Sequence, residues 1–181
     1  MVCNSMKIYY LIFLLLFNCA NSPRLNFITN DNTDYWQTQA IVDAIDLFNS
    51  KIGCELLTFE NPYNNHSITI FFTDWNLLKD GDTFDGQYIK DKHSIEIIRK
   101  WFYRLVDKKI ISTTNEDYLA INTLIIIHEI GHSFGLEHKK TKTEIMSPFV
   151  DESIGTYSDE MWLVYLSDLN NLGISCNLIG K

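Results

Sequence analysis

The stretch HEIGHSFGLEH, residues 128–138, constrains this chain more than any other. His128 and His132 stand four apart. On an α-helix that spacing puts both imidazoles on one face, a turn apart, where they can share one metal ion. Imidazole nitrogen suits zinc at about 2.0–2.1 Å. Glu129 is next to the first imidazole, and its carboxylate can reach a water at the metal more easily than the ion itself. Gly135 follows His132 by three residues. A glycine there can take a positive φ without a Cβ penalty, so the chain can leave the helix. The turn brings His138 back as a third nitrogen ligand. Three protein ligands leave a fourth position for water, which marks a catalytic rather than a structural zinc site. The alternative is a helix whose histidines are ordinary core or surface groups. Three ligands, a base and a turn residue in one register argue against it.

The rest of the chain must supply such a helix and a scaffold behind it. RLNFIT (residues 24–29) alternates like a strand. Residues 34–53 read as a helix. Trp36, Ala40, Ala44 and Phe48 recur every fourth position, with Ile41 and Ile45 beside them. Asp34 with Gln37 forms a start signal, and Gly53 a stop. CELLTFEN, SITIFFTDW, QYIK and HSIEIIRKWF read as further strands, separated by NPYNN and the turn-rich LKDGDTFDG. The zinc-motif helix is expected over 118–134, with Thr114 and Asp117 resembling a capping box. LIIIH alone favours a strand, but helical spacing continues without a breaker until Gly135. A last helix, 159–172, opens at Ser158 and closes at Gly173.

The chain has 181 residues, enough for one domain with a sizeable core. Its net charge of −8 argues against a nucleic-acid partner, because phosphates would be repelled. Lys7, the apolar run IYYLIFLLLF and the polar exit NCANS describe a secretory signal over residues 1–22. The run is too short to span a bilayer, which takes roughly 20 apolar residues. Residues 23–181 are then the catalytic domain, secreted or held at a membrane surface. The tethered form would arise at Cys19, because LFNC resembles a bacterial lipobox, although Asn18 stands where a small residue is usual. Removing residues 1–22 leaves Cys54 and Cys176, which either pair as a disulfide or remain buried thiols. Asp80, Asp82 and Asp85 form either a calcium loop or a solvated acidic turn.

The 128–138 segment resembles the zinc signature of the metzincin metallopeptidases. Eight residues past His138 comes IMSP, with Met146 as the counterpart of the metzincin methionine turn. The two strings together are most similar to the matrixin branch. The resemblance implies an α+β zincin fold. A twisted mixed sheet and two long helices would form the N-terminal subdomain, followed by a zinc cleft and a small C-terminal subdomain ending in a helix. It implies a monomeric endopeptidase acting on protein or peptide, with one catalytic zinc on His128, His132 and His138 and Glu129 as general base. Pro148, Phe149 and Val150 would line the primed-side pocket. GQYIK (residues 86–90) is the candidate edge strand for an extended substrate.

The sequence departs from that pattern in places. Lys139 stands where matrixins usually carry Ser. There is no PRCG-type cysteine switch, so latency by that device is not expected. The loop histidines of a second, structural zinc are missing, and His66 and His93 read as surface residues. Two other readings keep the metal. One is a catalytically silent, surface-exposed module that grips proteins, and the other is an exported zinc-binding protein with no peptide cleft.

Overall fold

The computed structural model describes residues 25–29, 33–60, 67–73, 86–98, 115–141, 144–148 and 156–176. β1 (Leu25–Thr29) leads into α1 (Tyr35–Ile52), then β2 (Leu57–Phe59), β3 (Ser67–Thr73) and β4 (Gly86–Ile89). A 3-10 turn (Lys90–Lys92), β5 (Ser94–Ile98), α2 (Asn115–Ser133) and α3 (Asp159–Asn171) complete the order. The strands form one sheet in the order β2-β1-β3-β5-β4. Four run parallel, and β4 pairs antiparallel with β5, Gly86 opposite Ile97 and Ile89 opposite Ser94. Among the described residues β4 is thus an edge strand. This is the expected α+β architecture with a mixed sheet. Among the described residues no helix is long and apolar enough to cross a membrane.

β3 shows why one face of the sheet carries the helices. Ile68, Ile70 and Phe72 are buried, while Ser67, Thr69, Phe71 and Thr73 between them are only half-buried. That period of two turns every second side chain into the core. α1 answers with Ala40, Ile41, Ala44, Ile45 and Phe48, all buried. Its start is the capping box expected from Asp34 and Gln37, with both reciprocal bonds formed at 2.9 and 3.0 Å. Gly53 ends it in the left-handed region, φ 82°.

Trp36 does not join the buried stripe. It is 36% exposed and meets Tyr35 edge-on, with ring centroids 5.2 Å apart. Gln37 is buried in its place, because its amide oxygen closes the capping box while its nitrogen reaches the Tyr118 hydroxyl at 3.4 Å.

α2 is buried without interruption from Ile121 to Gly131. A helix that is apolar all round belongs in the interior. Here it lies against α1 and the β4–β5 edge, with α3 beyond it. Burial from several sides lets the β-branched run 125–127 stay helical against its local preference. The helix begins at Asn115, three residues before the expected start. Thr114 lies outside the described residues, as does the Asp117 side chain.

α3 opens at Ser158, whose hydroxyl accepts from the Met161 amide. It is fastened to the end of α1 in two ways. Lys51 lies 2.7 Å from Asp159 and above the Trp162 ring, and Cys54 forms a disulfide with Cys176, their Cα atoms 5.9 Å apart.

Candidate metal centre

The C-terminus of α2 is a Schellman turn. Leu136 N–H bonds the Gly131 carbonyl and Gly135 N–H that of His132, both at 3.0 Å. Gly135 has φ 96°, which a residue with a side chain would adopt only under strain. The turn does two things for the site. It sends the chain back so that His138 faces His128 and His132, and it aims the Leu136 carbonyl at the His132 ring.

That carbonyl lies 2.7 Å from His132 Nδ1, and the Ile145 carbonyl lies 2.7 Å from His128 Nδ1. A carbonyl only accepts, so both Nδ1 atoms carry the proton and both Nε2 atoms are bare lone pairs. These bare nitrogens converge. His138 Nε2 is 3.2 Å from that of His128 and 3.0 Å from that of His132. Tetrahedral zinc at 2.0–2.1 Å separates its ligands by roughly 3.3–3.4 Å. One proton on His138 Nε2 could satisfy one neighbour but not both, whereas a cation satisfies all three. The donor set therefore fits zinc. The three histidines grade from buried (His128) through half-buried (His132) to exposed (His138), so the cluster opens to solvent on one side.

Electrostatics agree with metal-ready imidazoles. Burial, reinforced by the other two histidines, pushes His128 down to about 4 against the pull of its Ile145 bond. Burial also lowers His132. Neither proton needs displacing at neutral pH.

Glu129 is 2% exposed. Burial raises its carboxyl to about 8, opposed by a hydrogen bond from the Tyr88 backbone amide on β4. Among the described residues its buried Oε2 has no hydrogen-bond partner.

Met146 is 2% exposed and lies within a tight turn closed by Ser147 N–H on the Glu144 carbonyl at 3.0 Å. The same turn delivers the Ile145 carbonyl to His128, and the Met146 carbonyl accepts from Lys139 N–H at 2.8 Å. This turn thus holds the segment that follows His138 by its backbone. Gly131 leaves room for it, since a Cβ there would come 2.5 Å from Met146 Sδ and 3.0 Å from the Tyr165 ring. Lys139 reaches α3, its Nζ 3.0 Å from Asp168.

Several supporting groups were not legible as site residues. Tyr165 and Tyr157 are buried and donate to the Ile127 and Leu124 carbonyls at 2.9 and 3.1 Å, tying the zinc helix to the C-terminal subdomain. Gly86 lies against Glu129. Gly131 did carry a signal, because a glycine inside a helix costs about 1 kcal/mol against alanine and points to a close approach.

Of the other candidates, Pro148 is exposed and His93 is an exposed turn residue. Phe149, Val150, Cys19, His66 and the acidic loop with Asp80, Asp82 and Asp85 lie outside the described residues.

Fold and site together define a zinc-dependent metallopeptidase. The family model described as matrixin matches residues 24–161, and the chain belongs to that family. A search of curated proteins finds no sequence match. Among solved structures, the chain resembles an archaemetzincin from Methanopyrus kandleri, with TM-score 0.54 and 12% identity over 81% of this chain and 95% of that one. It also resembles a zinc-dependent peptidase from Methanocorpusculum labreanum, with TM-score 0.52 and 11% identity over 78% and 99%. At such identities the likeness speaks for the fold.

Proposed function

We propose that this chain is an exported metalloendopeptidase that hydrolyses internal peptide bonds, with zinc on His128, His132 and His138 and Glu129 as general base. The observation that carries the reading is the convergence of imidazole nitrogens at 3.0 and 3.2 Å beside a buried carboxylate. Bound zinc supplies Lewis acidity, which polarises a carbonyl and acidifies a water.

The chain's own residues do the rest. Glu129 has one oxygen, Oε2, without a partner among the described residues, and this atom takes the proton of the attacking water and returns it to the leaving amine. The carboxylate ionises more readily once positive charge sits among the neighbouring imidazoles. The edge of β4 offers main-chain groups to an extended peptide, which suits mid-chain segments of varied sequence. Residues 1–22 direct export, and Cys19 decides between a secreted and a lipid-tethered product.

Digestion of an unfolded protein with and without a chelator tests the reading. Cleavage should stop on chelation and return with zinc, and Glu129→Ala should lower kcat by about 10²–10⁴-fold. Unchanged turnover in Glu129→Ala contradicts the role of Glu129. Tight substrate binding with no turnover by the wild type favours the silent binding module.

A further inference from the structure

We propose that Gly86 and the Tyr88 backbone amide, both on edge strand β4, are the positioning elements that hold the Glu129 carboxylate in its working orientation. The proposal rests on the reading of Glu129 as the base.

Glu129 rises from α2, and β4 passes over it. A Cβ at residue 86 would lie 2.6 Å from Ile125 Cγ2, 2.9 Å from Glu129 Oε1 and 3.1 Å from Glu129 Cγ. The first two distances are too short for real atoms, so something must move. Ile125 is 2% exposed and set in the core, where close packing leaves its methyl nowhere to go. The Glu129 carboxylate is the far end of a flexible side chain and can swing. Swinging the carboxylate relieves the contacts with Glu129 but not the one with Ile125, so a methyl at residue 86 both lifts β4 off Ile125 and displaces the base.

Two residues along the strand, Tyr88 N–H donates to the same carboxylate. The absent side chain at 86 provides the room and the amide at 88 provides the hold. Both come from the strand that offers its edge to substrate. One short strand, Gly86–Ile89, thereby sets the substrate's line and the base's aim together.

The consequence is a defect in turnover rather than in metal or substrate binding. Displacement of a catalytic group by an ångström costs on the order of 10²-fold, and a shift of half that costs less. Gly86→Ala, in the full zinc-loaded chain, should keep one zinc and a KM within about 3-fold of wild type while kcat falls about 10–100-fold.

The test is a double-mutant cycle on a fluorogenic peptide, with Glu129→Asp as the second change. The shorter carboxylate leaves space for the methyl. In an Ile125→Ala background, which removes the contact that a shorter carboxylate cannot relieve, adding Gly86→Ala to Glu129→Asp should therefore change kcat by less than about 3-fold. Equal falls in both backgrounds, or wild-type kcat in Gly86→Ala, overturn the proposal. The Ile125→Ala background also keeps the cycle readable should Gly86→Ala alone fail to fold. Glu129→Ala accompanies the panel. Full turnover in that variant overturns the base assignment itself, whereas an inactive Glu129→Ala beside a fully active Gly86→Ala overturns only the positioning role.

Discussion

Burying Glu129 costs stability, and the cost can be measured. Burial pushes its carboxyl from 4.5 to about 8 in the metal-free fold. Between those values the folded protein holds a proton that the unfolded chain has released. A folded state that binds more protons loses stability as pH rises, so the penalty is absent below about 4.5 and complete above about 8. At about 1.36 kcal/mol for each tenfold change in proton affinity, the step from 4.5 to about 8 is on the order of 5 kcal/mol. That is a large share of a typical domain's 5–15 kcal/mol. Glu129→Gln keeps the shape and removes the charge. Urea unfolding of both metal-free proteins at about pH 5 and about pH 8.5 gives the comparison. The variant's advantage should grow from under about 1 kcal/mol to several kcal/mol across that range. His128 titrates in the opposite sense, with stability falling as pH drops below 6.5 toward about 4, but it is present in both proteins and cancels in the difference. Parallel pH curves for wild type and variant would refute the claim that Glu129 is held desolvated.

Two other outcomes follow from the same geometry. Replacing Cys54 and Cys176 by alanine opens a link between residues 122 apart in sequence. Chain-entropy reasoning gives a loss of about 5 kcal/mol and a melting temperature lower by about 10–20 °C, and a shift under about 2 °C would count against the bridge. Acid should strip zinc late. His128 sits at about 4 and His132 below its ordinary value, so metal content measured across a pH series should hold through neutrality and fall only toward about pH 4–5. Loss already near pH 6.5 would show that the imidazoles are not desolvated.

Much of this molecule is legible in its sequence because its signals are local. Asp34 with Gln37 and the stop at Gly53 bound α1, and Ser158 and Gly173 bracket α3. The spacing of His128, His132, Gly135 and His138 carries the site because helix pitch and one left-handed turn fix where those rings go. Non-local dependence explains what was hidden. Periodicity placed Trp36 on the buried face, but Trp36 is partly exposed and Gln37 is buried with a partner on another element. The Leu136 and Ile145 carbonyls orient two ligands, yet a backbone group leaves no trace in residue identity. Gly86 looked like turn punctuation. Its importance depends on Glu129, which is 43 residues away in sequence and is met only when β4 folds over α2. Tyr157 and Tyr165 give no local signal of their role, because their hydroxyl bonds to α2 form only once the chain around α3 is docked.

X-ray absorption at the zinc edge on the purified, zinc-loaded chain tests the central assignment most directly. The account predicts one zinc per chain with three nitrogen neighbours at about 2.0–2.1 Å, no sulfur, and one light ligand not supplied by the protein. His128→Ala, His132→Ala and His138→Ala should each reduce that nitrogen count or empty the site. A shell containing sulfur, a zinc that survives all three substitutions, or a folded wild-type chain that takes up no zinc would contradict it.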